Sequence, residues 1–529
     1  MSAARPVAPA SLNGARRARE LAEVANRGHV DLLVVGGGVT GVGVALDAAA
    51  RGLSVVLAER HDLASGSSRW SSKLVHGRLR SLARGEVRFA YESAAERGLI
   101  MGRLAPHLTR PLPMIYPWMP ETGRASLALA WLNLAAADVM RRAAGTRRRT
   151  LPGLRRLTAA EAMAGVPALR RDVTGGWLSW DAQLTDDARL VVAIARTAAS
   201  HGARILTRCE ASALTGHGAL LTDRLTGESF PLCADAVINA AGAWAGRLAE
   251  GVSLLPSRGT HLVLSDAAFG GLRAGLIALV PGEWNRYVFA VPVPGEPRVY
   301  VGVTDEPVQG PLPEVPEPTP GEISFLLGAV GDLLDTPPGP GDLLGAFAGL
   351  RLRLCSLRLP RGGHAVGSTA VRSQRHAVLT SQDGVVTVVG SKLTTYRLMA
   401  QEAVDAALAA SSPRRAVPPS RTRHLPLVGA AAPQTLAQVL APARLVARYG
   451  TEAPAVCRLA ERDPWLAEPV VPGMPVLGAE LAFAVEHEGA LDAGDLLDRR
   501  TRIGLVSADR DRAMHAAARI LDVLPGPKT

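Results

Sequence analysis

An α/β fold is what this sequence predicts: a discontinuous Rossmann-like dinucleotide-binding domain, an antiparallel β-sheet substrate domain and a C-terminal helical domain. Three observations carry the prediction. A strand, a glycine-rich turn and a small-residue helix stand near the start, with an acid closing the next strand. Strand-type runs divided by Pro and Gly turns fill the middle. After a proline-rich joint, the last stretch turns helical in its periodicity. The chain has 529 residues, 47% of them hydrophobic, enough for a large core and for roughly two to four domains.

Residues 1–29 read as an N-terminal extension with a short amphipathic helix, ARRARELAEVAN. They lack the apolar core and cleavage pattern of a secretory signal, and Glu20 and Glu23 argue against a transit peptide. Val30 to Gly41, VDLLVVGGGVTG, is the first motif. Gly36 permits the tight turn, Gly38 lets backbone approach a pyrophosphate, and Gly41 lets the helix lie close on the strand. Helix N–H groups and the helix dipole then favour the anion, while Glu59, ending the strand SVVLAE, is placed to accept from ribose hydroxyls. An adenine dinucleotide, and therefore redox chemistry, follows.

The dinucleotide half returns downstream. In TDDARLVV, Thr185 or Asp186 is expected to cap a helix, with Asp187 at its positive end. Two strand runs follow in 203–232, and DAVINAAGAW reads as a buried strand ending in small residues, so Gly242 marks a close backbone approach. Residues 252–305 alternate THLVLS, YVFAVPV and RVYVGVTD with turns, as an antiparallel sheet walling a substrate site. EPVQGPLPEVPEPTPG at 306–321 is expected as an extended surface connection. VVTVVGSKLTTYRLMA is a strand, a Gly turn and a helix start that brings Gly390, Lys392, Leu393 and Thr394 to the cofactor. The predicted division is an extension at 1–29, an oxidoreductase region at 30–410, a linker at 411–420 and a helical domain at 421–529. Within the second, dinucleotide parts span about 30–110, 185–250 and 345–410, and the substrate part about 252–340.

Four dispersed cysteines without a CxxC suit a reducing compartment, and the twelve histidines form no ligand pair beside a carboxylate, so no metal is expected. The net charge of +11 admits nucleic acid, acidic lipid or an anionic substrate. No nucleic-acid module is evident. Arginines at 141, 142, 147–149, 155 and 156 follow the apolar stretch Leu127–Ala137, with Trp118 and Trp131 nearby. That stretch is shorter than the roughly 20 residues that cross a bilayer. Two readings stand: an interfacial helix with a basic collar on a membrane surface, or a buried helix beside a solvated basic loop.

SSKLVHGRLR at 71–80 and GSKLTTYR at 390–397, with LASGSSRWSSK, DDARLV, RGTHLV, GVTD and AGLR in the same order, resemble the FAD-dependent glycerol-3-phosphate dehydrogenases, flavoprotein relatives of glycine and D-amino-acid oxidases. LPLVGA and LLDRRTRIGL extend the resemblance into the helical tail. It implies an FAD-binding domain and oxidation of sn-glycerol 3-phosphate to dihydroxyacetone phosphate, with electrons passed to a quinone, in a cytoplasmic protein peripheral on the inner face of the membrane. A homodimer is allowed; nucleic acid is not expected. Arg80, Arg351 and Lys392 would seat the phosphate dianion. His261 would be the base and also touch substrate, with Arg351 stabilising the developing oxyanion. Ser67, Ser68, Ser72, Lys73 and His76 would border the flavin. A related oxidase or dehydrogenase of another small substrate, or a catalytically weakened flavin-binding protein, are the alternatives.

The chain departs from the family pattern where HGGLRYL has Arg78 and Ser81, GGK has Ser391, SRDH has Gln374, and GLRPL reads GLRLR. Loss of a phosphate-facing arginine at Gln374 would cost about tenfold in affinity per 1.4 kcal/mol.

Overall fold

The computed structural model describes residues 9–77, 86–249, 252–280, 286–357, 376–390, 392–411 and 416–524. Helix α1 (Gly14–Arg27) starts at Asn13, whose side chain accepts from Arg16 N, and ends at Gly28 in the left-handed region. Strand β1 (His29–Val35), helix α2 (Val39–Ala50) and strand β2 (Val55–Ala58) follow as predicted. β1 is all but buried and pairs in parallel with β2 and with Ser229–Asn239. The register Val35↔Ala58 and Val35↔Asn239 brings three strand ends together at the glycine turn. Among the described residues this sheet runs Ala377–Thr380, Val386–Val389, Ser229–Asn239, β1, β2, Arg204–Leu206. Helices α2, Asp187–Ser200 and Tyr396–Ser411 share one apolar core with it.

The second sheet runs Glu306–Pro307, Val252–Ser265, Arg298–Gly302, Tyr287–Pro292, Gly275–Leu279, Thr109–Trp118, Gly175–Leu184, Leu74–Val75. Leu343–Leu357 pairs along the length of Val252–Ser265. The second sheet thus draws strands from outside 252–340 as well as from within it, and is as discontinuous in sequence as the first. Thr109–Trp118 forms a strand although it carries Pro111, Pro113 and Pro117. All three lie on alternate positions, so their missing N–H groups share one edge, where Gly275–Leu279 pairs only at Met114 and Ile115. The proline-rich 306–321 segment is shorter as a connection than expected. Thr319 caps a helix, Pro320–Gly331, in a reciprocal arrangement with Glu322.

The C-terminal helices Ala443–Tyr449, Ala453–Ala460, Gly478–His487 and Ser507–Val523 enclose their own core. Residues 9–28 are part of the fold rather than an extension. Leu12 N donates to His487 O and Gly489 N to Leu12 O, while Arg17 reaches Thr207 O and Asp223. The opening helix therefore ties the nucleotide sheet to the helical domain.

The helix Arg124–Ala143 joins features of both readings of the basic collar. Ala130 and Leu134 are buried, whereas Trp131, Leu132 and Val139 are 46%, 57% and 56% exposed. Arg141 belongs to no solvated collar: it is buried, donating to Asp138 and to Thr146 O. Among the described residues no helix is long and apolar enough to cross a membrane, and no cluster of His, Cys, Asp and Glu could hold a metal.

Candidate active site and cofactor cleft

One cleft of about 1090 Å³ opens at the ends of β1 and β2 and runs to the second sheet, large beside the roughly 300–1,000 Å³ of ordinary small-ligand sites. At its nucleotide end α2 begins at Gly38 with no N-cap side chain, so the positive end of its dipole faces the cleft and suits an anion. Gly41 is required by contact: a Cβ there would lie 1.9 Å from Gly36 O. Ser68 Oγ accepts from Val39 N at 2.9 Å, pinning the serine loop to the helix start. Glu59 accepts from Gly37 N at 2.6 Å, His61 N at 2.7 Å and Ser65 Oγ at 3.2 Å. Burial raises its carboxyl above the usual range despite these bonds. A glycine-floored cradle, a helix N-terminus and an acid at the second strand end are what an adenine dinucleotide requires. The residues fit FAD.

Gly36, Gly38, Glu59, Ser67, Ser68, Ser72, His76, Gly242, Gly390, Leu393 and Thr394 all line this cleft, as do Arg351 and Lys392. Lys392 Nζ donates to Ser93 Oγ and sits 5.2 Å over the ring of Phe89. Arg80 lies outside the described residues, as do Arg78, Ser81, Gln374 and Ser391. Two of the three cations predicted for a phosphate therefore share a cavity with the nucleotide motif.

Two predicted residues sit elsewhere. Lys73 is buried behind the cleft wall, its Nζ donating to Asp187 Oδ2 at 2.9 Å and to Arg69 O and Ser71 O. Burial pushes its ammonium down to about 8, even with Asp187 beside it. It shapes the serine loop from beneath. His261 is 2% exposed, stacked on Phe347 with ring centroids 4.9 Å apart, and hydrogen-bonded through Nε2 to Ser72 Oγ at 2.8 Å. Its neighbour across the ladder is Gly302, where a Cβ would lie 2.2 Å from the imidazole Cδ2. Burial, then Arg351 and Lys73, lower its proton affinity well below that of a free histidine. The ring thus stands one residue back from the cleft, behind Ser72.

Two histidines line the cleft, His61 beside Glu59 and His76 next to the strand Leu74–Val75, and the partners of His76 were not legible. His76 Nδ1 donates to Asp181 Oδ2 at 2.9 Å, and Arg97 Nη1 donates to Asp181 Oδ1 at 2.9 Å. Burial would raise the Asp181 carboxyl, but the His76 hydrogen bond and the charges of His76 and Arg97 hold it at about 2. All three residues line the cleft. The β-ladder brings Asp181 beside His76, since Val75 pairs with Ala182. No local motif signals that pairing. Of the two caps offered for Asp187–Ser200, Asp186 is the one used, accepting from Ala188 N and Arg189 N.

Residues 31–398 match the family model for FAD dependent oxidoreductases, and residues 420–526 that for the C-terminal domain of alpha-glycerophosphate oxidase. The chain is 50% identical to glycerol-3-phosphate dehydrogenase 1 of Mycobacterium tuberculosis, over 97% of this chain and 98% of the relative. It is 32% identical to the mitochondrial glycerol-3-phosphate dehydrogenase of Arabidopsis thaliana, over 94% and 82%. The crystal structure of the glycerol-3-phosphate dehydrogenase from Bacillus halodurans complexed with FAD superposes with a TM-score of 0.74 at 26% identity, covering 98% of this chain and 95% of that one. Cradle, cleft and likeness over almost the full length agree: this chain belongs to the FAD-dependent oxidoreductases, in the glycerol-3-phosphate dehydrogenase family.

Proposed function

We propose that this protein oxidises sn-glycerol 3-phosphate to dihydroxyacetone phosphate and passes the electrons to a quinone at a membrane surface. The observation that carries the reading is the convergence of Arg351 and Lys392 on the cleft that holds the dinucleotide cradle. A phosphate dianion in a partly dry cleft needs fixed cations, and charge-assisted bonds to each contribute roughly 1.5–3 kcal/mol. FAD, when bound, supplies the two-electron acceptor. The chain's own part is to seat the substrate and take the proton of its C2 hydroxyl. His76 suits that step: Asp181 holds its Nδ1–H, leaving Nε2 as the accepting nitrogen. His261 orients Ser72 from behind. The exposed Trp131, Leu132 and Val139, on a helix flanked by Arg124, Arg142 and Arg147–Arg149, support docking on an anionic lipid face. The test is anaerobic mixing of the oxidised holoprotein with glycerol 3-phosphate. Rapid bleaching of the flavin followed by reoxidation with quinone is expected; a flavin that stays oxidised refutes the assignment, and fast reoxidation by air with none by quinone refutes the acceptor.

A further inference from the structure

The loop that leaves Glu59 is held largely from the other end of the chain. Asp62, with no exposed surface, receives Arg499 Nε at 2.7 Å and Arg500 Nη1 and Nη2 at 2.7 and 2.8 Å. Arg500 is itself anchored within the helical domain by Glu488 O, at 3.2 Å from Nε and 2.9 Å from Nη2. Further along the same loop, Arg69 O accepts from Arg502 Nη2 at 2.5 Å. A third tie runs from Arg208, after the strand Arg204–Leu206, to Asp492 at 2.5 Å and Asp495 at 2.8 Å. Segment 488–502 therefore grips the nucleotide half at Asp62, Arg69 and Arg208. Arg499, Asp492 and Arg208 also line the cleft beside Glu59, His61 and Ser65.

We propose that segment 488–502 of the C-terminal helical domain is a component of the FAD site, in which Asp62 is a positioning residue that sets loop 59–73 for the nucleotide. Between Asp62 and Arg69 this loop carries Ser65, Ser67 and Ser68, and it begins at Glu59; a loop free to wander would have to be ordered by the ligand, which weakens binding. Because affinity and docking of the segment are linked, the coupling is reciprocal: FAD steadies segment 488–502 as much as the segment steadies FAD. A buried carboxylate shared by two guanidiniums is suited to this, since removing its charge weakens the tie at both ends while changing little volume and leaves Arg499 with Asp495 and Arg500 with Glu488 O.

The test uses the full-length protein. FAD is titrated into apoprotein of the wild type and of Asp62→Asn, following quenching of FAD fluorescence, with circular dichroism confirming that both are folded. The variant is expected to bind FAD about 5- to 150-fold more weakly, the usual span of a coupling between sites, and Asp62→Glu to recover part of the loss. A folded Asp62→Asn with wild-type affinity overturns the proposal. Should that variant not fold, hydrogen exchange on the wild type decides: FAD is expected to slow amide exchange in 488–502 as well as in 59–73. Slowing confined to 59–73 overturns it.

Discussion

Asp181→Asn is the most informative single change at this site. It keeps the shape of the side chain and removes its charge, so His76 loses the acceptor that selects the Nδ1–H tautomer. An asparagine can present either its oxygen or its NH₂ to His76 Nδ1, and the second orientation turns Nε2 into a donor that cannot take the substrate proton. Arg97 bounds the magnitude. It already shares the carboxylate, donating to Oδ1 at 2.9 Å while His76 holds Oδ2 at 2.9 Å. Part of the negative charge is thus spent on the guanidinium, and the effect falls within the range of one general base, ~10²–10⁴-fold. We expect flavin reduction by glycerol 3-phosphate to slow by about 10²-fold, or ~2.7 kcal/mol in the barrier. The assay is anaerobic stopped-flow across pH, with the flavin content of each preparation measured by absorbance. FAD loading should stay at the wild-type level, because Asp181 stands on the second sheet and the glycine turn follows β1 of the first. His76→Gln should be at least as slow. Reduction at the wild-type rate and pH dependence in both variants, with substrate turnover intact, would remove the dyad from the reaction.

Gly41→Val should give a protein that purifies without flavin, since its side chain would begin 1.9 Å from Gly36 O; a yellow, fully loaded variant would contradict the cradle. Lys73→Met leaves the buried Asp187 with hydrogen bonds from Ser71 and Ala188 N and the more distant charge of Arg502, and should cost ~3–5 kcal/mol, read as a fall in thermal midpoint, with Lys73→Met/Asp187→Asn recovering most of it. The sign of the pH dependence follows from burial: the Lys73 ammonium falls from 10.5 to about 8 on folding, so the unfolded chain holds the extra proton across that window. Wild-type stability should therefore gain a component as pH rises from about 8 toward 10.5 that Lys73→Met lacks; equal pH slopes would show that Lys73 titrates normally. Trp131→Asp/Leu132→Asp should abolish flotation with anionic liposomes while leaving flavin reduction intact, and unchanged flotation would move the membrane contact elsewhere.

The cofactor end of the site was legible because its determinants are local. Gly36, Gly38, Gly41 and Glu59 all fall within one strand-turn-helix-strand unit, where spacing alone dictates which atoms meet. The catalytic end was legible only in part. Arg351 and Lys392 reach the cleft as the family motifs implied, but His261 and Lys73 do not: the motifs placed them near the site without showing that His261 would bond Ser72 and that Lys73 would turn its ammonium to Asp187. His76 stood in a motif the sequence displays, yet its carboxylate was hidden 105 residues away, and no local signal marked the strand Thr109–Trp118, which carries three prolines.

From the sequence alone follow the fold class, the dinucleotide and the chemical family, since each rests on residues whose mutual geometry the backbone period imposes. Only the tertiary structure decides that His76 meets Asp181, that Lys73 is buried against Asp187, and that Asp62 is held by Arg499 and Arg500 from the helical domain. Those outcomes depend on ladder register and on buried charges seeking partners across hundreds of residues, where a low-dielectric interior makes an unpaired ion costly and leaves local pattern with no say in which partner is found.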